Sequence, residues 1–474
     1  MTSFDPRLIP AGVLTVCARL REKGHRAWIV GGCVRDLLRG ARAGDWDVAT
    51  SARPEEVMKA FRRVIPTGIQ HGTVTVHLHG LHGENGEGSF EVTTLRGETT
   101  YTDGRRPDAV VFVDDIVADL ARRDFTVNAI ALDPLREGDA ALIDPFDGHV
   151  DLQRKVLRAV GDASQRFAED GLRALRAARF VATLDFELDP ATAAAIRPAL
   201  DTYRKVSAER VRDEWMKALK ARAPSRAFEV MREHGLLEVS APELLPQVGC
   251  EQNKWHRYDV WHHAMACVDA CTGDPVLRLS ALLHDVGKPA TRAFSDKTQD
   301  WTFYEHERVG AELVDPVLAR LRFSNDERTR VTHLVRHHLV CYDGTWSDAA
   351  VRRWIRRIGR ERLDDLYALN EADLRGKDRD AAPDLAPLAE LKVRVAEIIA
   401  KGEALTARDL AIGGKELMEQ LGMRPGPRMG VLLDRLLEDV LEEPSRNTPG
   451  ALLARAAEVL PTIPDDAKKK RDQA

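Results

Sequence analysis

The stretch Trp28 to Thr50, WIVGGCVRDLLRGARAGDWDVAT, limits the possible folds more than any other part of the chain. Ala27-Trp28-Ile29-Val30 is a short apolar run closed by two glycines, the pattern of a buried strand. Gly31 and Gly32 turn the chain, Val34 to Leu38 have the apolar spacing of a short helix, and Asp45-Trp46-Asp47-Val48 reads as a second strand. Side chains alternate across a strand, so Asp45 and Asp47 are expected on one face. Neighbouring carboxylates repel unless a cation lies between them. Hard oxygen donors suit Mg²⁺, which completes its shell with water and substrate phosphates. The glycine turn offers backbone N–H groups near a helix start, where phosphate is favoured, and Arg35 adds a charged fork one turn on. Either piece alone is more often structural: Gly-Gly a turn, Asp-x-Asp a solvated strand face. On consecutive elements, together, they point to a metal-assisted nucleotide site.

On these residues the sequence resembles the nucleotidyltransferase superfamily that includes DNA polymerase β. GGCVRDLLRG with DWDVATSARPEEV is similar to its tRNA nucleotidyltransferase/poly(A) polymerase branch. The resemblance implies an α/β nucleotidyltransferase head, polymerase β-like, followed by all-α neck, HD and tail domains. It implies Mg²⁺ held by Asp45 and Asp47, with Glu91 completing a catalytic trio, and places Gly31, Gly32, Arg35 and Asp36 at the nucleotide. RRDFTVNA is a further match: it puts Arg123 on the incoming triphosphate, with Asp124 and Asn128 holding the sugar or bracing the site. EDGLRALRAARF matches the segment that in class II tRNA nucleotidyltransferases selects CTP and ATP without a nucleic-acid template. Asp170 and Arg173 are one turn apart, and a carboxylate beside a guanidinium suits the Watson–Crick edge of cytosine or adenine. Arg176 and Arg179 continue at steps of three and drift around the helix. Without the resemblance, an i,i+3 surface salt bridge would be the preferred reading.

The other head elements follow from local pattern. Ala11 to Lys23 reads as an amphipathic helix. Pro54 starts another, with Ser51 as its N-cap. Thr73 to Leu78 and Phe90 to Leu95 alternate as paired strands around a glycine-rich loop, Gly80 to Ser89, and Gly97 to Arg106 is a loop. Ser207 to Leu245 continues as helices, with Ser207, Glu209 and Arg210 at a capped start.

With 474 residues the chain exceeds one ordinary core, and two to four domains are expected. The resemblance implies four: a head over 1–150, a helical neck and body with the base-selecting helix over 151–248, an HD phosphohydrolase-like domain over 249–380, and a helical tRNA-binding tail over 381–474. No apolar run reaches about 18 residues, so no membrane span is expected. Six cysteines without a CxxC pair fit a reducing cytoplasm. The net charge of −5 means that RNA contact must come from local basic patches. The segment Asp378 to Pro387 reads as a proline- and aspartate-rich link, and Asp465 to Ala474 as disordered.

The ordered set His263, His284-Asp285 and Asp373 lies on three helical stretches. It resembles the HD superfamily of metal-dependent phosphohydrolases, which implies a divalent transition metal or Mg²⁺ there. His306 and one of His337 or His338 would add a second metal or contact phosphate, and Lys288 would do the latter.

The expected activity is template-independent addition of C, C and A to tRNA 3′ ends from CTP and ATP, by two-metal nucleotidyl transfer. A poly(A) polymerase or an enzyme adding only CC or only A is the alternative within the class; RRDFTVNAIA and IDPFDG favour the tRNA enzyme. An HD phosphohydrolase with a nucleotide-sensing head is the alternative from another class. Oligomeric state stays open.

Overall fold

The computed structural model describes residues 5–78, 88–97, 111–136, 138–254 and 256–464. The glycine-rich loop after Leu78, most of the loop after Gly97 and the basic tail therefore lie outside the described residues. The chain forms two compact units, Met1–Pro242 and Glu243–Ala474.

The first unit carries a seven-stranded mixed sheet in the order β3-β4-β5-β2-β1-β6-β7. The strands are β1 Ala27–Val30, β2 Asp47–Thr50, β3 Val64–Gly68, β4 Thr73–His77, β5 Ser89–Thr94, β6 Ala131–Leu132 and β7 Leu142–Ile143. β1 is buried along its whole length, as its unbroken apolar run requires. It runs antiparallel to β2 and β6, while β2 runs parallel to β5 in the register Asp47↔Glu91. Apolar residues of β1, β2 and the segment Ala129–Ala131 share a core with Leu95, Ile116 and Leu120. The rest of this unit is mostly helical, including Ala163–Glu169, Leu172–Leu184 and Ala208–Ala218, with one short parallel pair, Val156–Leu157 beside Glu187–Leu188. An α/β head followed by helices is thus the architecture, as expected from the sequence.

Three local expectations are corrected. The second strand begins at Asp47, so Asp45 lies just before it and is exposed. The helix at Pro54 is capped by Arg53, whose backbone N–H donates to Glu56 Oε2 at 2.7 Å; Ser51 Oγ instead accepts from the Arg26 amide at 2.9 Å. Most of the expected link before Pro387 belongs to the helix Ala382–Ala400, because Pro383 falls in the first turn, where a missing N–H costs no hydrogen bond.

The second unit is helical apart from a small hairpin, Ala293–Ser295 with Asp300–Thr302. Its helices Val260–Ala270, Pro275–Leu283, His306–Arg320, Asn325–His337 and Leu363–Arg375 surround the histidine–aspartate residues. A Cβ on Gly287 would sit 2.2 Å from the His306 carbonyl oxygen and 2.6 Å from the Gly310 nitrogen. The turn after His284-Asp285 therefore packs backbone to backbone on the His306 helix, bringing the two histidines into one site. A separate core runs from Cys267 through Trp354 and Leu391 to Ile463.

Candidate active site and a histidine–aspartate cluster

In the head, sheet register places Asp47 beside Glu91 on adjacent parallel strands, and hence on one face. A cavity of about 1060 Å³ is lined by Arg42, Asp45, Trp46, Asp47 and Glu91. A second, of about 440 Å³, shares Asp47 and Glu91 and is otherwise walled by Arg122, Arg123, Asp124, Asp170, Arg173, Arg176 and Arg210. The acids thus border both an open acidic space and a basic one. Burial raises the Asp47 carboxyl above its ordinary range; Arg123 opposes this, and Glu91 and Asp45 add to it. Such a mutually repelling oxygen set fits a hard divalent cation.

Gly31 is required by its surroundings. It has φ +77°, and a Cβ there would lie 2.7 Å from Arg123 Nη1. Its amide donates to the Ile130 carbonyl at 3.2 Å, so this N–H is not free for phosphate. Gly32 begins the helix Gly32–Leu38. Arg35 does not project alone into the cavity: its fork is bound to Asp36 at 2.9 Å and to Asn128 Oδ1 at 2.8 Å. Asn128 Nδ2 donates to Asp124 Oδ1 at 3.1 Å, and Arg176 donates to Asp124 Oδ2 at 2.5 and 2.8 Å. Arg179 pairs with Glu214 at 2.5 Å. One ladder of charges therefore crosses from the glycine turn to the selecting helix. Burial would raise the Asp124 carboxyl, but Arg176 and Asn128 outweigh it and hold it down at about 2. Arg123 is held at 3.3 Å by both Asp119 and the Asn128 carbonyl.

The expected Asp170–Arg173 pair is not formed. Asp170 lies in the turn between two helices, with Gly171 before the helix Leu172–Leu184. Its carboxylate accepts from the Leu172 amide at 3.0 Å and pairs with Arg210 at 2.6 Å. Arg173 pairs with Glu169 at 2.5 Å and donates to the Arg122 carbonyl at 2.9 Å. Both still line the basic cavity. Asp119, Glu169, Arg210 and Glu214 were missed as site residues. Asp119 stands one turn before Arg122 and Arg123, a spacing that could have flagged it. Arg210 and Glu214 are far along the sequence, with no such signal.

In the second unit, His263, His284 and Asp285 are almost wholly buried, at 0%, 0% and 1% exposure. The Nε2 atom of His263 stands 3.0 Å from Asp373 Oδ1 and 3.5 Å from Asp285 Oδ2, and that of His284 lies 3.1 Å from Asp285 Oδ2. On the other carboxylate oxygen, Nε2 of His306 and of His338 approach Asp285 Oδ1 to 3.3 and 3.6 Å. Each Nδ1 faces a backbone carbonyl: His263 that of Gly376 at 3.2 Å, and His284, His306 and His338 those of Ala281, Phe303 and Val335, each at 2.7 Å. A neutral imidazole has one N–H. Spending it on these carbonyls leaves four Nε2 lone pairs converging on Asp285. The His306 and His338 Nε2 atoms face each other at 3.2 Å. His284 Nε2 and Asp285 Oδ1 are buried without a hydrogen bond among the described residues, while Asp285 Oδ2 has the Lys288 ammonium beside it. Lone pairs facing lone pairs at these distances suit divalent cations, and imidazoles oriented by backbone carbonyls are the usual ligands.

Two groups of ligand atoms within 4.8 Å of one another emerge: His263, Cys267, His284 and Asp373, and His284, Asp285 and His338. His337 is not among them; its ring lies 4.6 Å from His333. Lys288 Nζ stands 2.6 Å from Asp285 Oδ2. Cys267 and His256 escaped sequence reading. The His256 ring lies 5.1 Å from that of His263, and burial with Lys288 pushes its pKa down to about 3. A cavity of about 310 Å³ opens on the cluster, lined by His256, Lys288, Tyr304, His306 and Lys377. Among the described residues no helix is long and apolar enough to cross a membrane.

A family model described as "Poly A polymerase head domain" matches residues 27–158. One described as "Probable RNA and SrmB- binding site of polymerase A" matches 185–247, and one for domain 2 of tRNA nucleotidyltransferases matches 292–456. The CCA-adding enzyme of Levilactobacillus brevis is 32% identical over 450 residues, covering 93% of this chain and 95% of that one. The A-adding tRNA nucleotidyltransferase of Deinococcus radiodurans is 36% identical over 423 residues, covering 87% and 91%. The solved Bacillus stearothermophilus CCA-adding enzyme in complex with CTP is 28% identical, with a TM-score of 0.67 over 96% of this chain and 99% of that one. Full-length relatives at this identity, joined to the head geometry above, show that the chain is an enzyme and belongs to the tRNA nucleotidyltransferase/poly(A) polymerase family.

Proposed function

We propose that this enzyme builds the CCA end of tRNA from CTP and ATP. The observation that carries the proposal is the pair of cavities meeting at Asp47 and Glu91, one acidic and open, the other lined with arginines. In the reaction the RNA 3′-hydroxyl oxygen bonds to the α-phosphorus of the nucleotide, the bond to the bridging oxygen breaks, and pyrophosphate leaves. Asp45, Asp47 and Glu91 would hold Mg²⁺. When bound, it acidifies the attacking hydroxyl and neutralises charge on the phosphates. Arg123, fixed by Asp119 and by the close approach of Gly31, faces the triphosphate. Asn128 and Asp124 tie the arginines Arg35 and Arg176 in place. Asp170 and Arg173 select the base. To do so with both carboxylate oxygens and the full guanidinium, they exchange Arg210 and Glu169 for the base edge. The head over 1–150 does the chemistry, and 151–248 presents the base-selecting groups.

The test is incubation with tRNA lacking its terminal CCA plus labelled CTP and ATP, followed by end sequencing. Ordered C, C, A supports the reading. Addition of A alone, and only to tRNA already ending in CC, moves the enzyme to the A-adding class named for the Deinococcus relative. Long A tails would make it a poly(A) polymerase.

A second activity is supported by the orphaned lone pairs around Asp285. On this reading the segment 249–380 is a metal-dependent phosphohydrolase module: His263, His284, Asp285 and Asp373 would hold one metal, and Asp285, His306 and His338 a second. Bound metals supply an activated water and polarise a phosphoryl oxygen. Lys288, Lys377 and neutral His256 line the cavity where a phosphate would sit. Metal analysis of the purified protein tests this: about two equivalents that fall on Asp285→Ala support it, and metal-free protein at saturating Mn²⁺ refutes it.

A further inference from the structure

Cys267 lies one turn after His263 on the helix Val260–Ala270 and is wholly buried. A buried cysteine is ordinarily a small apolar residue, and this one also borders the core that continues through Trp354. Its polar surroundings set it apart from a packing residue. The sulfur stands 3.5 Å from Nε2 and 3.7 Å from Nδ1 of His263. With His263, His284 and Asp373 it forms a group of four ligand atoms within 4.8 Å of one another. Gly376 makes room for it. A Cβ at Gly376 would collide with the sulfur, and the Gly376 carbonyl faces His263 Nδ1 at 3.2 Å, which turns the other ring nitrogen toward the group.

A thiol hydrogen bond accounts for only part of this arrangement. One S–H serves one acceptor. Given to His263 Nε2, it still leaves that nitrogen 3.0 Å from the Asp373 carboxylate, and His284 Nε2 buried with no hydrogen bond among the described residues. A cation serves all four atoms at once. On a tetrahedral ion, a sulfur at about 2.3 Å and a nitrogen at about 2.0–2.1 Å stand about 3.5 Å apart, which is the separation of Cys267 Sγ from His263 Nε2. We propose that Cys267 is a thiolate ligand of the metal assigned to His263, His284, Asp285 and Asp373, so that this site takes a thiophilic divalent ion such as Zn²⁺ or Fe²⁺ in preference to Mg²⁺ or Mn²⁺. The thiol proton leaves to solvent as the sulfur–metal bond forms. The inference rests on the metal reading of the cluster given above and adds to it a ligand and a class of ion.

The test uses the full-length protein, stripped with a chelator and reloaded with Co²⁺, which reports thiolate ligation by a sulfur-to-metal charge-transfer band in the near ultraviolet. Wild type should show the band. Cys267→Ser should bind Co²⁺ and lose the band, while the control Cys271→Ser, at the end of the same helix, should keep it. X-ray absorption at the metal edge checks the point without any substitution: Zn²⁺-loaded wild type should show one sulfur neighbour at about 2.3 Å. Metal bound to wild type with no band and only nitrogen and oxygen neighbours overturns this inference alone and leaves the metal reading standing. A band that survives in Cys267→Ser does the same. Wild type that takes up neither Co²⁺ nor Zn²⁺ removes both.

Discussion

The head site and the histidine–aspartate cluster solve opposite electrostatic problems. Apart from the mutually repelling carboxylates Asp45, Asp47 and Glu91, most charges on the arginine-lined side of the head site already have a partner: Arg35 with Asp36 and Asn128, Arg176 with Asp124, Arg173 with Glu169, Asp170 with Arg210. The cluster around Asp285 is the reverse. Apart from the Lys288 ammonium on one Asp285 oxygen, its polar atoms are buried and point lone pairs at one another. Paired charges at a cavity wall can be exchanged for a transient substrate, because breaking an ion pair to make a similar one costs little net energy. Buried lone pairs offer no such exchange. On the functions proposed above, the first arrangement would serve a ligand that comes and goes, and the second an ion that stays.

The sharpest break of this comparison is reciprocal. Asp47→Ala should reduce CTP and ATP incorporation by at least about 10³-fold, as expected for losing several kcal/mol of charge stabilisation. It should leave the metal content of the second unit intact. Asp285→Ala should do the converse: metal lost by elemental analysis, incorporation within about twofold of wild type. If either variant damages both properties, the two sites are not independent.

Next in size is Gly31→Ala. The left-handed φ and the 2.7 Å approach to Arg123 Nη1 both resist a side chain. A loss of about 1–3 kcal/mol is expected in denaturant titration, with a raised KM for the nucleotide as Arg123 is pushed aside. Normal KM would show that Arg123 does not serve the triphosphate.

Paired charges in the head also predict a pH dependence. Asp124 is held at about 2 against an ordinary 3.8. A folded value below the unfolded one means stabilisation that is complete above the ordinary value and lost as pH falls toward 2. The linked contribution is about 2 kcal/mol, order of magnitude only. Unfolding free energy of wild type should fall through that window, and Asp124→Asn should flatten the fall while lowering stability at neutral pH.

What could be read in the sequence follows how local the signal is. β1, β2, β4 and β5 carry apolar or alternating runs, and were legible. β3, reading VIPTG, holds a proline and a glycine and is largely exposed, so it lacks the pattern; β6 and β7 are two residues each, too short for any period. The same divide runs through the sites. Asp45, Asp47 and the histidines are candidates that type and spacing single out. Their partners are not: Arg176 reaches Asp124 across 52 residues and Arg210 reaches Asp170 across 40. An i,i+3 rule pairs Asp170 with Arg173, but the helix starts only at Leu172, which leaves Asp170 outside it and free to turn toward Arg210. Nor can a sequence reveal which histidine nitrogen is spent on a carbonyl, the detail on which the proposed cation site rests.

The smallest expected effect sharpens the comparison most finely, because it separates two adjacent histidines. His338 ends its helix with Nδ1 on the Val335 carbonyl and Nε2 toward Asp285. His337 faces His333 instead, and burial with His333 beside it pushes its pKa down to about 4. The two differ by one helical step of about 100°, which decides between ligand and neighbour. His338→Ala should lower bound metal by up to one equivalent, since His306 and Asp285 alone are too few donors to hold an ion of this class. His337→Ala should leave the metal content unchanged, and should alter stability by no more than about 0.5 kcal/mol, as for a half-exposed residue without a hydrogen-bonding role. Equal metal loss in both variants would mean that the helix end, not the His338 ring, holds the second ion in place, and the orphaned lone pair would no longer explain it.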